Sequence, residues 1–385
     1  MSAPAASSPT SRLTTLDATR AVALMGVLTI NMLSISGLVY LTLEMRETVY
    51  GPADRAVGYV LSVLVEGKAL AAFSLMFGIS FTLLIGRMKA RGEPWVWAYL
   101  RRLALLGGFG LINALFFFWG DILTTYAVLG LFLPVAALWP LRVVLGLSAA
   151  LLVVPPVVLA MAGALPPGPL TQDQLPNLRA FLEDRFQVTV AQNWALFTGA
   201  AGETQSLRTI RYTELAALFL IGLAAGRAGL PQRLAENRVW LRKLALWLLA
   251  IGLAMEAARR SGVLLTPGGV LLKNGDALVG IAYVTLVALW LDGPWGTRAR
   301  TLLAPLGGMA LTGYLMGGLL GQAVFYGWGL AQIGRHGTLG VMAISAAIFA
   351  VLLGFAHLWM RRFRQGPWEW LWRSLSRMSR QPLRR

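Results

Sequence analysis

Asp17, Arg20 and Asn31 stand in the first long apolar stretch of the chain, at spacings that put them on nearly one helical face. Asp17 and Arg20, three residues apart, can pair near the start of that stretch. Asn31 follows Arg20 by eleven residues, about three turns or ~16 Å of helix, where its amide can donate to a carbonyl oxygen. Glu66 and Lys68 lie in the second stretch; their two-residue spacing points them to different faces, so each is expected to pair with another helix. Asp121 and Asp276 each follow a glycine and precede an apolar run, which makes each either a helix N-cap or a site carboxylate. Glu214 after Arg211, and Glu256 before Arg259 and Arg260, read as ion pairs. In lipid, insertion of such a side chain at a helix centre costs roughly 2.5 to 3.5 kcal/mol, so each needs a partner or a wet cavity.

Composition limits the chemistry further. With no cysteine there is no disulfide, thiol nucleophile or thiolate metal site, and with two histidines, His336 and His357, no metal centre is expected. Of the 385 residues 57% are hydrophobic and 13% charged, about half the charged share of a soluble domain, which excludes a soluble globular enzyme. A net charge of +17 fits either nucleic acid or the cytoplasmic face of a membrane, and the position of the charge decides between them.

Ten apolar runs are long enough, at about 20 residues per crossing, to carry these side chains through a bilayer. They cover roughly 20–42, 63–86, 103–119, 122–139, 143–164, 211–227, 243–257, 276–291, 302–326 and 339–360. The expected fold is an all-α polytopic membrane bundle of about ten helices with both termini cytoplasmic. Under that topology the cytoplasmic segments hold 23 of the 34 Lys and Arg residues, the positive-inside pattern, and nucleic acid is not needed to explain the charge. The first run is too long for a signal peptide and is expected to be retained. The chain divides into a disordered tail (1–15), a membrane domain (16–360) with an external loop or cap (166–208), and a basic cytoplasmic tail (361–385). In that tail Trp368, Trp370 and Trp372 with Arg373 and Arg377 predict an amphipathic helix lying on the inner leaflet. Pro155-Pro156 should kink the fifth run and free backbone carbonyls.

Two stretches share an order of features. Phe77-Gly78, Gly86-Arg87, Trp97, Arg101-Arg102, Gly120-Asp121 and Tyr126 are matched by Ile221-Gly222, Gly226-Arg227, Trp240, Arg242-Lys243, Gly275-Asp276 and Tyr283. This is either a parallel internal repeat about an axis near the membrane normal, or the basic start that any helix entering from the cytoplasm carries.

The chain resembles a known family, the DUF418 (YeiB-like) group of bacterial integral membrane proteins. Nearly the whole chain takes part. The resemblance is carried by Leu16 to Leu28 with Asn31-Met32, Glu66-Gly67-Lys68 with Phe73 to Gly78, Gly120 to Leu123 with Tyr126-Ala127, Leu311 to Met316, and Gly366 to Arg373. The group is similar in turn to wider transmembrane acyltransferases, the acyltransferase-3 proteins and the heparan-alpha-glucosaminide N-acetyltransferases. Acyltransferase-3 proteins place an Arg, ten residues, then a His in the first helix; here those positions hold Arg20 and Asn31, and no histidine precedes His336. Gly313 and Gly317-Gly318 stand where the group usually has an Asn and a Gln-Ser pair.

The resemblance implies transfer of an acyl (acetyl) group from cytoplasmic acyl-CoA, the co-substrate, to an extracytoplasmic acceptor such as a sugar or envelope glycan, in the bacterial cytoplasmic (inner) membrane and without a metal. Arg20, Arg87, Arg101, Arg102 and Lys68 are then the candidates for holding CoA, since guanidinium groups suit its phosphates. Asn31 would bond the thioester carbonyl and the developing oxyanion, and Asp121 or Glu66 would take the acceptor proton, with Asp17 completing the first-helix motif. The expected partners are membrane lipid, the glycan acceptor and a second copy of the chain in a homo-oligomer, and not nucleic acid. From another class, Glu66 and Lys68, the kinked fifth run and the parallel repeat suit a transporter or lipid flippase without acyl-CoA chemistry.

Overall fold

The computed structural model describes residues 9–162, 175–199, 205–260 and 271–385; among these the chain is helical, with no strand and one isolated bridge, Phe363 to Arg384. In order the helices are α1 (Pro9–Ile35), α2 (Leu43–Val49), α3 (Pro52–Leu64), α4 (Lys68–Ala90), α5 (Trp95–Ile112), α6 (Leu123–Gly130), α7 (Leu133–Ala136), α8 (Leu141–Met161), α9 (Leu175–Leu182), α10 (Phe186–Phe197), α11 (Gln205–Arg227) and α12 (Arg238–Arg260). There follow α13 (Gly275–Asp292), α14 (Thr297–Gly308), α15 (Ala310–Phe325), α16 (Thr338–Arg362) and α17 (Pro367–Ser376).

The all-α membrane bundle is as expected, but its spans differ from the ten runs. Among the described residues seven helices are long and apolar enough to cross a membrane, or eight if one bent pair counts as a span. That pair is α14 and α15, the ninth run, which meet at 78° where the Met309 backbone leaves the helical region. The fourth run forms two short helices, α6 and α7: Gly130 closes the first, and Pro134, which has no N–H, sits in the first turn of the second. The seventh run, α12, has the length but carries charge in both end turns. The tail also differs: α1 starts at Pro9, so part of the segment expected to be disordered is helical, and residues 1–8 lie outside the described residues.

At the centre α1 packs against α4, α13, α14, α15 and α16. Its alanines Ala18 and Ala21 are fully buried, which lets neighbouring backbones come close, and Met32 and Ile35 fill the farther end. Beside it α4 and α11 cross at a pair of glycines. A Cβ on Gly78 would strike the Phe219 carbonyl, and one on Gly222 would strike the Leu75 carbonyl. Each struck residue lies three positions before the opposing glycine, so the contact is reciprocal, as a two-fold axis requires. Gly78 and Gly222 are also matched positions of the two similar stretches, so the helices that share the motif pack on each other at the motif itself.

One local expectation holds. In α8, Pro156 leaves the Leu152 carbonyl without its helical donor, and Asn274 Nδ2 supplies one at 3.0 Å. The described part of segment 166–208, in α9 and α10, packs on the bundle: Phe181 stacks on Tyr326 with ring centroids 4.4 Å apart, and Asn193 donates to the Leu115 carbonyl at 3.0 Å.

Gly222→Ala places a methyl against backbone and should lower stability by about 1 to 3 kcal/mol, the usual cost of overpacking. The readout is the unfolding midpoint in detergent; an unchanged midpoint would contradict the close reciprocal contact.

Candidate functional site

A cavity of about 900 Å³ opens where α1 begins, α4 ends and α5 begins, the end that the charge count assigns to the cytoplasm. Seven arginines line it, Arg20, Arg87, Arg91, Arg101, Arg102, Arg373 and Arg377, against the carboxylates of Asp17, Glu93 and Glu369. Arg20 and Arg102 are half-buried inside; the other five are exposed at the mouth. Asp17 and Arg20 form the expected pair at 2.5 Å, and Arg20 also donates to Ser80 Oγ at 2.7 Å. Glu93 takes Arg91 at 2.6 Å. Among the described residues no carboxylate stands within ion-pair distance of Arg87, Arg101, Arg102 or Arg373. The mouth therefore carries uncompensated positive charge.

One wall is α17, which corrects the expectation of a helix lying on the inner leaflet. The Glu369 carboxylate accepts the Thr312 N–H at 3.0 Å and its hydroxyl at 2.6 Å, the first turn of α15. Desolvation there pushes the Glu369 carboxyl above its usual range, and the two Thr312 bonds oppose that shift. Trp372 Nε1 donates to the Arg102 carbonyl at 2.9 Å while the Arg102 guanidinium lies 4.2 Å from the centre of the Trp372 ring. Trp368 meets Phe109 edge-on at 5.5 Å. The apolar face of α17 thus covers α5 and α15, and its arginines turn toward the cavity.

The inner end is apolar and aromatic, formed by Phe73, Phe77, Leu106, Leu311, Tyr126 and Tyr314. Behind it, in the π-helical turn Asn113–Phe117 that continues α5, Asn113 Nδ2 donates to Asp121 Oδ1 at 2.9 Å and, with its second proton, to the Tyr314 hydroxyl and the Phe118 carbonyl, each at 3.4 Å. The second Asp121 oxygen accepts the Thr124 N–H at 2.7 Å, the capping role that its position before α6 suggested. Asp121 is buried and does not itself line the cavity.

The structure brings Arg20, Arg87, Arg101 and Arg102 together, with Asp17, and leaves the other candidates elsewhere. Asn31 is half-buried higher on α1, off the cavity, and Glu66 is exposed in the turn between α3 and α4. Lys68 starts α4, nineteen residues or ~28 Å of helix from Arg87. It is fully buried, 3.0 Å from Glu256, 2.6 Å from Asp276 and 3.2 Å from the Ser62 carbonyl. Glu256 in turn takes Arg259 through both oxygens, at 3.0 and 2.7 Å, as its spacing suggested; the Arg260 side chain lies outside the described residues. Gly67, with φ at +79°, makes this possible, because a Cβ there would collide with the Asp276 carboxylate. The two histidines have ordinary partners, Gln332 for His336 and the Leu302 carbonyl for His357. Sequence reasoning passed over Asn113, a lone amide in the third apolar run, and Glu369, whose partner is distant in sequence.

Long apolar helices around an arginine-lined, apolar-ended cavity define a multi-pass helical membrane protein. Residues 225–379 match the family described as "Protein of unknown function (DUF418)". Over most of its length the chain is 29% identical to the uncharacterized protein YxaH of Bacillus subtilis (strain 168), covering 97% of this chain and 96% of that one. It is also 29% identical to the uncharacterized protein YeiB of Escherichia coli (strain K12), covering 94% and 95%. An uncharacterized 39.9 kDa protein from the amylase 3′ region of Bacillus acidopullulyticus is 25% identical over 95% of this chain. The DUF418 resemblance is thereby borne out.

Lys68→Met leaves the Asp276 charge buried without its cation and should cost about 3 to 5 kcal/mol. Thermal unfolding in detergent reads this, and a variant as stable as the parent would show that the cluster is not a structural ion pair.

Proposed function

We propose that the protein is an acyltransferase of the bacterial cytoplasmic membrane and that the basic cavity is its acyl-CoA site. One observation carries the reading: four of the five residues expected to hold CoA, drawn from α1, α4 and α5, converge on one cavity with an apolar inner end. The phosphates would meet Arg87, Arg101 and Arg373 at the mouth, where charge-assisted bonds to guanidinium are strong. The pantetheine and acyl group would then lie along Phe77, Leu106 and Tyr126. A volume of about 900 Å³ is at the upper end for small-molecule sites, as a nucleotide thioester requires.

In the reaction an acceptor hydroxyl or amine attacks the acyl carbon, the carbon–sulfur bond breaks, and the acceptor's proton ends on the departing coenzyme as its thiol. A sugar or envelope glycan reaching the inner end from the other side of the membrane is the proposed acceptor. Of the three residues expected to do chemistry, Asp121 alone connects to the cavity, through Asn113 and Tyr314. A lipid flippase would use the same cavity for a headgroup phosphate, and acyl-CoA dependence separates the two readings.

Titration of the detergent-solubilised protein with acetyl-CoA tests the proposal. Binding should weaken by about tenfold for Arg87→Ala with Arg101→Ala, in line with loss of bonds to charged groups, and should weaken with added salt. Absence of acetyl-CoA binding, with anionic lipid moved between leaflets of vesicles, would favour the flippase.

A further inference from the structure

Three tyrosines line the cavity, and their hydroxyl protons have different fates. Tyr99 donates to the Gly130 carbonyl at 3.1 Å. Tyr126 is engaged by Ser74 Oγ at 2.7 Å and the Leu70 carbonyl at 3.4 Å. Tyr314 is different: its oxygen accepts from the Ile122 N–H at 3.3 Å, and it shares with the Phe118 carbonyl, each at 3.4 Å, the second proton of Asn113 Nδ2. A phenol carries one proton, and neither the Ile122 N–H nor the Asn113 NH₂ can accept it, so the proton must point elsewhere. Among the described residues it has no protein acceptor.

The orientation is fixed by the groups behind it. Asp121 Oδ1 accepts from Asn113 Nδ2, so the carboxylate determines that the NH₂ end, and not the oxygen, faces Tyr314. Asp121 is held by the Thr124 N–H, and the Ile122 N–H belongs to the same turn. Two incoming hydrogen bonds also polarise the phenol and strengthen it as a donor.

We infer that the inner end of the cavity is a carbonyl-binding subsite in which the Tyr314 hydroxyl donates to the ligand's acyl oxygen, with Asn113 and Asp121 as positioning residues. The inference rests on the acyl-CoA reading and gives it the donor that Asn31, off the cavity, does not supply. A tyrosine with a fixed, unspent proton in a desolvated site can stabilise negative charge developing on that oxygen.

The test compares acetyl-CoA with S-ethyl-CoA, a thioether of the same length that lacks the carbonyl, by calorimetric titration. The parent protein should prefer acetyl-CoA by about tenfold, the upper worth of one neutral hydrogen bond. In Tyr314→Phe the preference should fall to near parity while S-ethyl-CoA binds as before, which also shows that the variant is folded. Asn113→Ala should reduce the preference without changing S-ethyl-CoA affinity, a result that a purely structural role would not produce. If both ligands bind and the preference is absent, or survives Tyr314→Phe, the inference fails alone. If neither ligand binds the parent, the acyl-CoA reading fails and takes the inference with it.

Discussion

An ionised side chain inside an apolar bundle must either meet its opposite charge or reach water, because desolvation costs more than most contacts return. This requirement sorts the charges into two groups. Around Lys68 four charged groups pair with one another, Lys68 and Glu256 fully buried and Arg259 partly exposed, and the Gly67 turn is shaped to let Asp276 in. Around Arg87 and Arg101 there are no such partners among the described residues; the same requirement is met by an open cavity. The first arrangement is self-sufficient, whereas the second has unspent capacity for an anion. That contrast, more than the total of charges, separates a structural cluster from a candidate binding site.

Both arrangements are mounted on α4, Lys68 at its first residue and Arg87 in its last turn. The position and tilt of this helix therefore control the ion cluster at one end and the cavity at the other. A close backbone contact lies in between, where Gly78 meets Gly222. Close glycine packing works here because lipid tails are as apolar as leucine, so van der Waals fit and not hydrophobicity must hold helices together.

The Asp17–Arg20 pair, the arginines at the helix ends and the carbonyl freed by Pro156 were legible in the sequence because each follows from spacing within one helix. Partners across helices were not. Glu256 and Asp276 each read as local features, and nothing in their own segments shows that both face Lys68. Apolar length also hides a bend: 302–326 is continuous in composition, yet Met309 divides it, two residues after Gly307 lies against the Asp17 carbonyl of α1. In α17 the periodicity reported an apolar face correctly, but a period cannot say whether that face meets lipid or protein. Glu369 and Trp372, which anchor it to Thr312 and Arg102, decide the matter in three dimensions.

The matched positions of the two similar stretches have different surroundings, and the difference sets the cavity apart from the ion cluster. Asp276 is held by a lysine, so its charge is cancelled; Asp121 is held by a neutral amide and a backbone N–H, so it orients its neighbours without an ion pair. Arg101-Arg102 line a cavity, while their counterparts Arg242-Lys243 are exposed. The difference comes from the C-terminal helices. α15 packs against the π-helical turn that continues α5, and α17 packs against α5 itself; there they supply Tyr314, Arg373 and Arg377. These helices complete a walled, basic, amphiphilic cavity beside α4 and α5.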